Sequence, residues 1–193
     1  MNLETQFEQG LSNKIENEKV EKVVQESQED HVLQNDLSDI DKELRDEIPN
    51  SAVGVIRIDK IGVLMPILDN TSEKALLRGA GLLEETDLPS SKDNTIAVLA
   101  GHRGGRNESL SFIKIDKLIN GDQIKITTAE ETLYYSVVGW EVIEPNDWSK
   151  FTREEDKAKL ILMACHPYPK NDKRLLIKSE LIDSKTTDEI AAD

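Results

Sequence analysis

Residues 95–102 read TIAVLAGH. Residues 96–100 are apolar without a break, and polar Asp93 and Asn94 precede them. An unbroken run of this length fits a strand buried on both faces better than an alternating, half-solvated one. The run stops at Gly101 and ends on a histidine, His102. A second run of the same kind, LILMAC at residues 160–165, ends on the only cysteine in the chain, Cys165. Two buried strands that each end on a chemically active side chain are the centre from which the rest is read.

Around these runs the chain from Ala52 is rich in short β-prone segments. Residues 53–58 and 63–68 are split by a turn at residues 60–62. Ser72 is placed to cap a short helix through Leu77, closed by Gly79. Phe112, Ile115 and Leu118 predict a helical turn ending near Gly121. Residues 123–127 and 132–142 predict a hairpin about residues 129–131, and residues 174–177 a last strand after Cys165. Many short strands with few helices predict an all-β domain closed into a barrel or sandwich. Residues 145–157 form a long polar connection, the kind that tends to carry function.

Residues 1–50 are of different character. They carry 14 acidic and 5 basic side chains, against a whole-chain net charge of −14. Leu3, Phe7, Leu11 and Ile15 recur every four residues, and Leu33, Leu37, Ile40, Leu44 and Ile48 every three or four, as on one face of a helix. The segment is therefore expected to be an acidic appendage, helical or solvated, that stops at Pro49. Its charge and periodicity suit it to cover a cleft near Arg174. The expected organisation is an appendage at 1–50, a β domain at 51–183 and a frayed tail from Ser184.

The acidity argues against nucleic-acid binding, since phosphates require clustered Lys and Arg, and against docking on anionic lipid. One cysteine excludes an internal disulfide and a multi-cysteine zinc site. No run of about 18 apolar residues is present to span a membrane. Glu144, Asp147, Glu154, Glu155 and Asp156 offer oxygen ligands for calcium but lack EF-hand spacing, so a solvated loop is the better expectation and no cofactor is required.

A lone cysteine after an apolar strand is usually a small buried hydrophobe. Cys165 differs in standing at the strand's end, where its thiol can face a cleft and react beside a cationic partner. The chain has three histidines: His31, His102 and His166. His31 lies in the acidic appendage. His166 follows Cys165 directly, and neighbours on an extended chain face opposite ways, so it should point away from the thiol unless the turn rotates it back. His102, with Gly101 before it and Gly104 and Gly105 after, pairs better with a strand-end cysteine elsewhere. Arg174 opens the last strand and could steady an oxyanion. Arg78, Arg103 and Arg106 compete with it for that role.

With these residues in place, the chain resembles the sortase family over residues 52–182, and its class A more than its pilus-building members. GVIRIDKIGVLMPIL, LLRGAGLLEETDLP and SFIKIDKLINGDQI are similar to the family's segments in order and spacing. TIAVLAGHRG is similar to the block holding the family's histidine, LILMAC to its T-L-x-T-C strand and KRLLIKSEL to its arginine block. The resemblance implies a closed eight-stranded β-barrel outside the membrane with an N-terminal anchor, which would lie beyond these 193 residues. It implies catalysis by Cys165, His102 and Arg174, with Ala100, Gly101, Ala164 and His166 beside the substrate. The substrate would be an L-P-x-T-G-like sorting signal and the acceptor an amine of a cell-wall precursor. A pilin lysine as acceptor, or a sortase-like module that binds without turnover, are the alternatives. Ala164 stands where the family motif has a threonine, which puts a hydrogen bond beside the nucleophile in question. The front segment carries no Asp-Pro-aromatic lid motif of the pilus type.

Overall fold

The computed structural model describes residues 52–104 and 108–186. Eight strands close a barrel in the order β1-β2-β3-β4-β7-β8-β6-β5. They are β1 (Ala52–Ile58), β2 (Val63–Leu68), β3 (Ala80–Leu82), β4 (Thr95–Gly101), β5 (Gln123–Thr127), β6 (Glu131–Ile143), β7 (Ala158–His166) and β8 (Lys173–Thr186). Closure leaves no long sheet edge open, the usual hazard of antiparallel sheets. The barrel is the expected fold. The helical content is equally slight: α1 (Glu73–Leu76) is capped by Ser72, whose Oγ accepts from Ala75 N at 3.3 Å.

Two features were not legible beforehand. β3 is only three residues long and runs parallel to β2. β4 and β7, the two apolar runs, are parallel neighbours in register from Thr95↔Ala158 to Gly101↔Ala164. β4 is buried on both faces, as an uninterrupted apolar sequence requires, whereas the outer face of β7 is fully buried only at Ile161. β8 also runs to Thr186, past the expected start of the tail at Ser184, because Glu131, Thr132 and Leu133 of β6 supply ladder partners for its last residues. The acidic appendage at 1–50 lies outside the described residues.

Alternation along the strands divides the apolar side chains into two clusters. Inside the barrel lie Ala97 and Leu99 of β4, Leu160, Leu162 and Ala164 of β7, and Leu175 and Ile177 of β8, with Phe112 and Tyr135 among the large buried residues. Outside lie Ile96 and Val98, Ile161, Leu176 and Ile143, with Leu83, Phe151 and Met163 packed against them. The outer cluster is roofed by the connection between β6 and β7, which delivers Phe151. Arg153 of that connection clamps Asp87 through Nε (2.8 Å) and Nη2 (3.0 Å), and Asp87 also accepts from Ile96 N. The hydrogen bond from Arg153 is the main reason that the Asp87 carboxyl lies below the ordinary carboxylate range.

Candidate active site

The site is built where β4, β7 and β8 meet. Cys165 pairs directly with Arg174 across the antiparallel β7–β8 ladder. Opposed residues in such a ladder share a face, with Cα atoms about 4.5–5.5 Å apart. The parallel ladder on the other side ends at Gly101↔Ala164. His102 and Cys165 each follow directly on that last pair, at the ends of neighbouring strands. Residues 102, 165 and 174 alternate with inward-facing Gly101, Ala164 and Leu175, so all three belong to the outer face. Cys165 is half-buried, Arg174 half-buried and His102 exposed. The register pairs Cys165 with Arg174 directly and ends one residue short of His102.

Each is held from behind. The carbonyl of His102 accepts from Phe112 N at 2.9 Å. The ring of Phe112 lies under Gly101, where an added Cβ would stand 2.5 Å from Cδ2. A side chain at 101 would push that ring away, so glycine is required there by space and not by backbone freedom. The Arg174 guanidinium donates through Nη1 to the carbonyls of Lys173 (2.9 Å) and Asn171 (3.4 Å), which anchors one edge of it.

The remaining candidates divide. Ala100 lies on the outer face, buried, in register with Met163 and two residues before His102. Gly101 and Ala164 turn inward, and Ala164 is part of the interior cluster. A hydroxyl at 164 would therefore enter apolar packing instead of meeting a substrate, and the threonine missing from LILMAC removes no outer-face hydrogen bond. His166 also faces away from the thiol. Its Nδ1 lies 2.6 Å from Nη1 of Arg103. Arg103, one of the competitors for Arg174's role, is buried behind the sheet and pairs with Asp116 at 2.8 Å. Its partners were invisible in sequence. The signal that it faces inward was there: it follows His102 and so must take the opposite side.

Three of the five acidic residues considered as calcium ligands are engaged by other partners. Glu144 pairs with Lys173, and Glu154 with Lys157 and Lys159. Asp147 caps the turn at Trp148–Lys150 by accepting from Ser149. Among the described residues no group of three or more His, Cys, Asp or Glu is placed to hold a metal ion.

A thiol flanked by an imidazole on one strand and a guanidinium on the other has the parts for acyl transfer through a thioester: nucleophile, proton carrier and oxyanion donor. Comparison with known proteins carries the identification further. A Sortase domain profile matches residues 56–182, and the chain belongs to the sortase family, cysteine-dependent transpeptidases of the bacterial cell surface. The chain is 29% identical over 156 residues to sortase A of Bacillus anthracis, covering 78% of this chain and 72% of that one. It is 29% identical over 117 residues to sortase D of Bacillus subtilis (strain 168), covering 61% of this chain and 56% of that protein. The chain thus spans little more than half of the latter's length. Among solved structures, sortase C2 of the Group B Streptococcus pilus island 1 superposes with a TM-score of 0.67 at 36% identity, covering 72% of this chain and 79% of that one. Sortase A of Corynebacterium diphtheriae gives 0.65 at 31%, covering 68% and 61%. Among the described residues no helix is long and apolar enough to cross a membrane.

Proposed function

We propose that this chain is a class A-like transpeptidase that cleaves an L-P-x-T-G-like sorting signal between Thr and Gly and passes the surface protein to an amine of a cell-wall precursor. The observation that carries this reading is the register Gly101↔Ala164 with Cys165↔Arg174, which supports a site shared by His102, Cys165 and Arg174 at the ends of adjacent strands. The Cys165 sulfur attacks the Thr carbonyl carbon and a C–S bond forms. Arg174 donates to the carbonyl oxygen as negative charge builds on it. The Thr–Gly C–N bond then breaks, and His102 gives a proton to the leaving amine. In the second half His102 takes a proton from the incoming amine, a new C–N bond forms, and the thiolate leaves. On the outer face of β7, half-buried Met163 offers the peptide an apolar contact two residues before the thiol. The enzyme works outside the cytoplasmic membrane, held there by an anchor.

A second reading differs only in the acceptor. The likeness to sortase C2 of a pilus island favours a lysine side chain of a pilin subunit. Mass spectrometry of Cys165 after incubation with a small set of sorting peptides tests the common step. An acyl adduct ending in Thr, released by hydroxylamine, is the expected result. An unmodified thiol with intact peptides overturns both readings. Competition between a cell-wall-type amine and a pilin lysine peptide for the adduct then chooses the acceptor.

A further inference from the structure

The last pair of the β4–β7 ladder is Gly101↔Ala164. His102 and Cys165 stand one step beyond it, where the ladder no longer fixes their spacing. Their immediate successors, Arg103 and His166, face the opposite side of the sheet and are joined at 2.6 Å. Arg103 is 8% exposed, so its guanidinium is a buried charge that needs partners. It has three: His166, Asp116 at 2.8 Å and, more weakly, the carbonyl of Ile113 at 3.5 Å from Nε. Asp116 lies on the 3₁₀ turn Ile115–Lys117, which Ile115 roots in the interior cluster. The loops meet again one residue on, where an added Cβ at Gly104 would lie 3.1 Å from Cε2 of Tyr168.

We propose that Arg103 is a positioning residue: through His166 it sets the spacing of His102 and Cys165 from the back of the sheet. The proposal rests on the reading of those two as proton carrier and nucleophile. A guanidinium is planar, and its donors leave at fixed angles. Held by Asp116 on one amino group, it presents the other to His166 at one place only. Arginine can only donate, so Nδ1 of His166 accepts and the ring's own proton sits on Nε2. That imidazole is committed to the clasp, which also accounts for why it is not the partner of the thiol. Productive acyl transfer tolerates little misplacement, since a shift of about 1 Å costs on the order of 100-fold.

The test compares Arg103→Ala, His166→Leu, the double variant and His166→Asn, whose Oδ1 falls near the position of Nδ1. The His166 variants leave the Arg103–Asp116 pair in place, so they report even if Arg103→Ala fails to fold. Two rates are measured: turnover of a sorting peptide, and alkylation of Cys165, the only thiol, by iodoacetamide. Arg103→Ala and His166→Leu should each lower kcat by roughly 10–100-fold with KM within about 3-fold. The double variant should be no worse than either single one, His166→Asn should recover most of the loss, and alkylation should slow in the same order. Losses that multiply in the double variant, a loss carried by KM, or His166→Asn as impaired as His166→Leu would each overturn the clasp. Should the unmodified protein turn over no sorting peptide, the proposed function fails, and the alkylation series still decides the clasp: equal rates in all variants overturn it.

Discussion

The two faces of β7 divide the labour of the molecule. The inner face, Leu160, Leu162 and Ala164, is sealed in the barrel along its whole length. The outer face begins the same way, with Ile161 under the β6–β7 connection, and then opens through half-buried Met163 to Cys165. One strand is thus a structural rod on one side and a graded descent from packing to chemistry on the other. Substitutions at Leu160, Leu162 and Ala164 should reach activity only through stability. Those on the outer face should change activity in proportion to their nearness to the thiol.

The largest effect expected is at the open end. Cys165→Ala should abolish cleavage of a sorting peptide, and His102→Ala should lower it by about 10⁴-fold or more, with unfolding midpoints close to the parent's. A large loss of stability in either would break the division. On the sealed face, Leu162→Ala should cost about 2–5 kcal/mol in denaturant unfolding. Under conditions where the variant stays folded, kcat should stay within a few-fold of the parent. Between these extremes, Phe151→Ala removes the half-buried roof of the outer cluster. It should cost roughly 1–2 kcal/mol, less than a fully buried phenylalanine, and raise KM for the peptide more than it lowers kcat.

The smallest effect tests how the roof is tied. Because Arg153 and the Ile96 N–H favour the charged form of Asp87, its folded value is depressed. Its contribution is therefore complete above the unfolded carboxylate value near 4 and fades as pH falls through the lower folded one. Asp87→Asn should lower the melting temperature by about 2–5 °C at neutral pH. The gap to the parent should narrow as pH falls below the ordinary carboxylate range and through the lower folded value. A constant gap across that range would show that the pair with Arg153 is not what holds the connection.

The same alternation explains what could be read without coordinates. The apolar runs ending on His102 and Cys165 announced buried strands, and alternation turned His166 away from the thiol. Applied to Ala164, it would have sent that side chain inward as well, so the missing threonine hydroxyl drew concern to the wrong face. What stayed hidden depends on partners distant in sequence. No local pattern tells that β4 lies beside β7, that three residues at Ala80–Leu82 make a strand, or that Arg103 meets His166 and Asp116.

The parallel pairing of β4 with β7 also has a consequence for how the chain comes into being. The crossover between them contains β5 and β6, so the ladder that aligns His102 with Cys165 closes a long stretch of chain. Contacts of such sequence separation form late, after loop-closure entropy has been overcome. A nascent chain that has emerged as far as β6 carries the imidazole but neither the thiol nor the guanidinium. Acyl-transfer competence therefore requires the closing strands β7 and β8, which bring the thiol and the guanidinium to the end of β4.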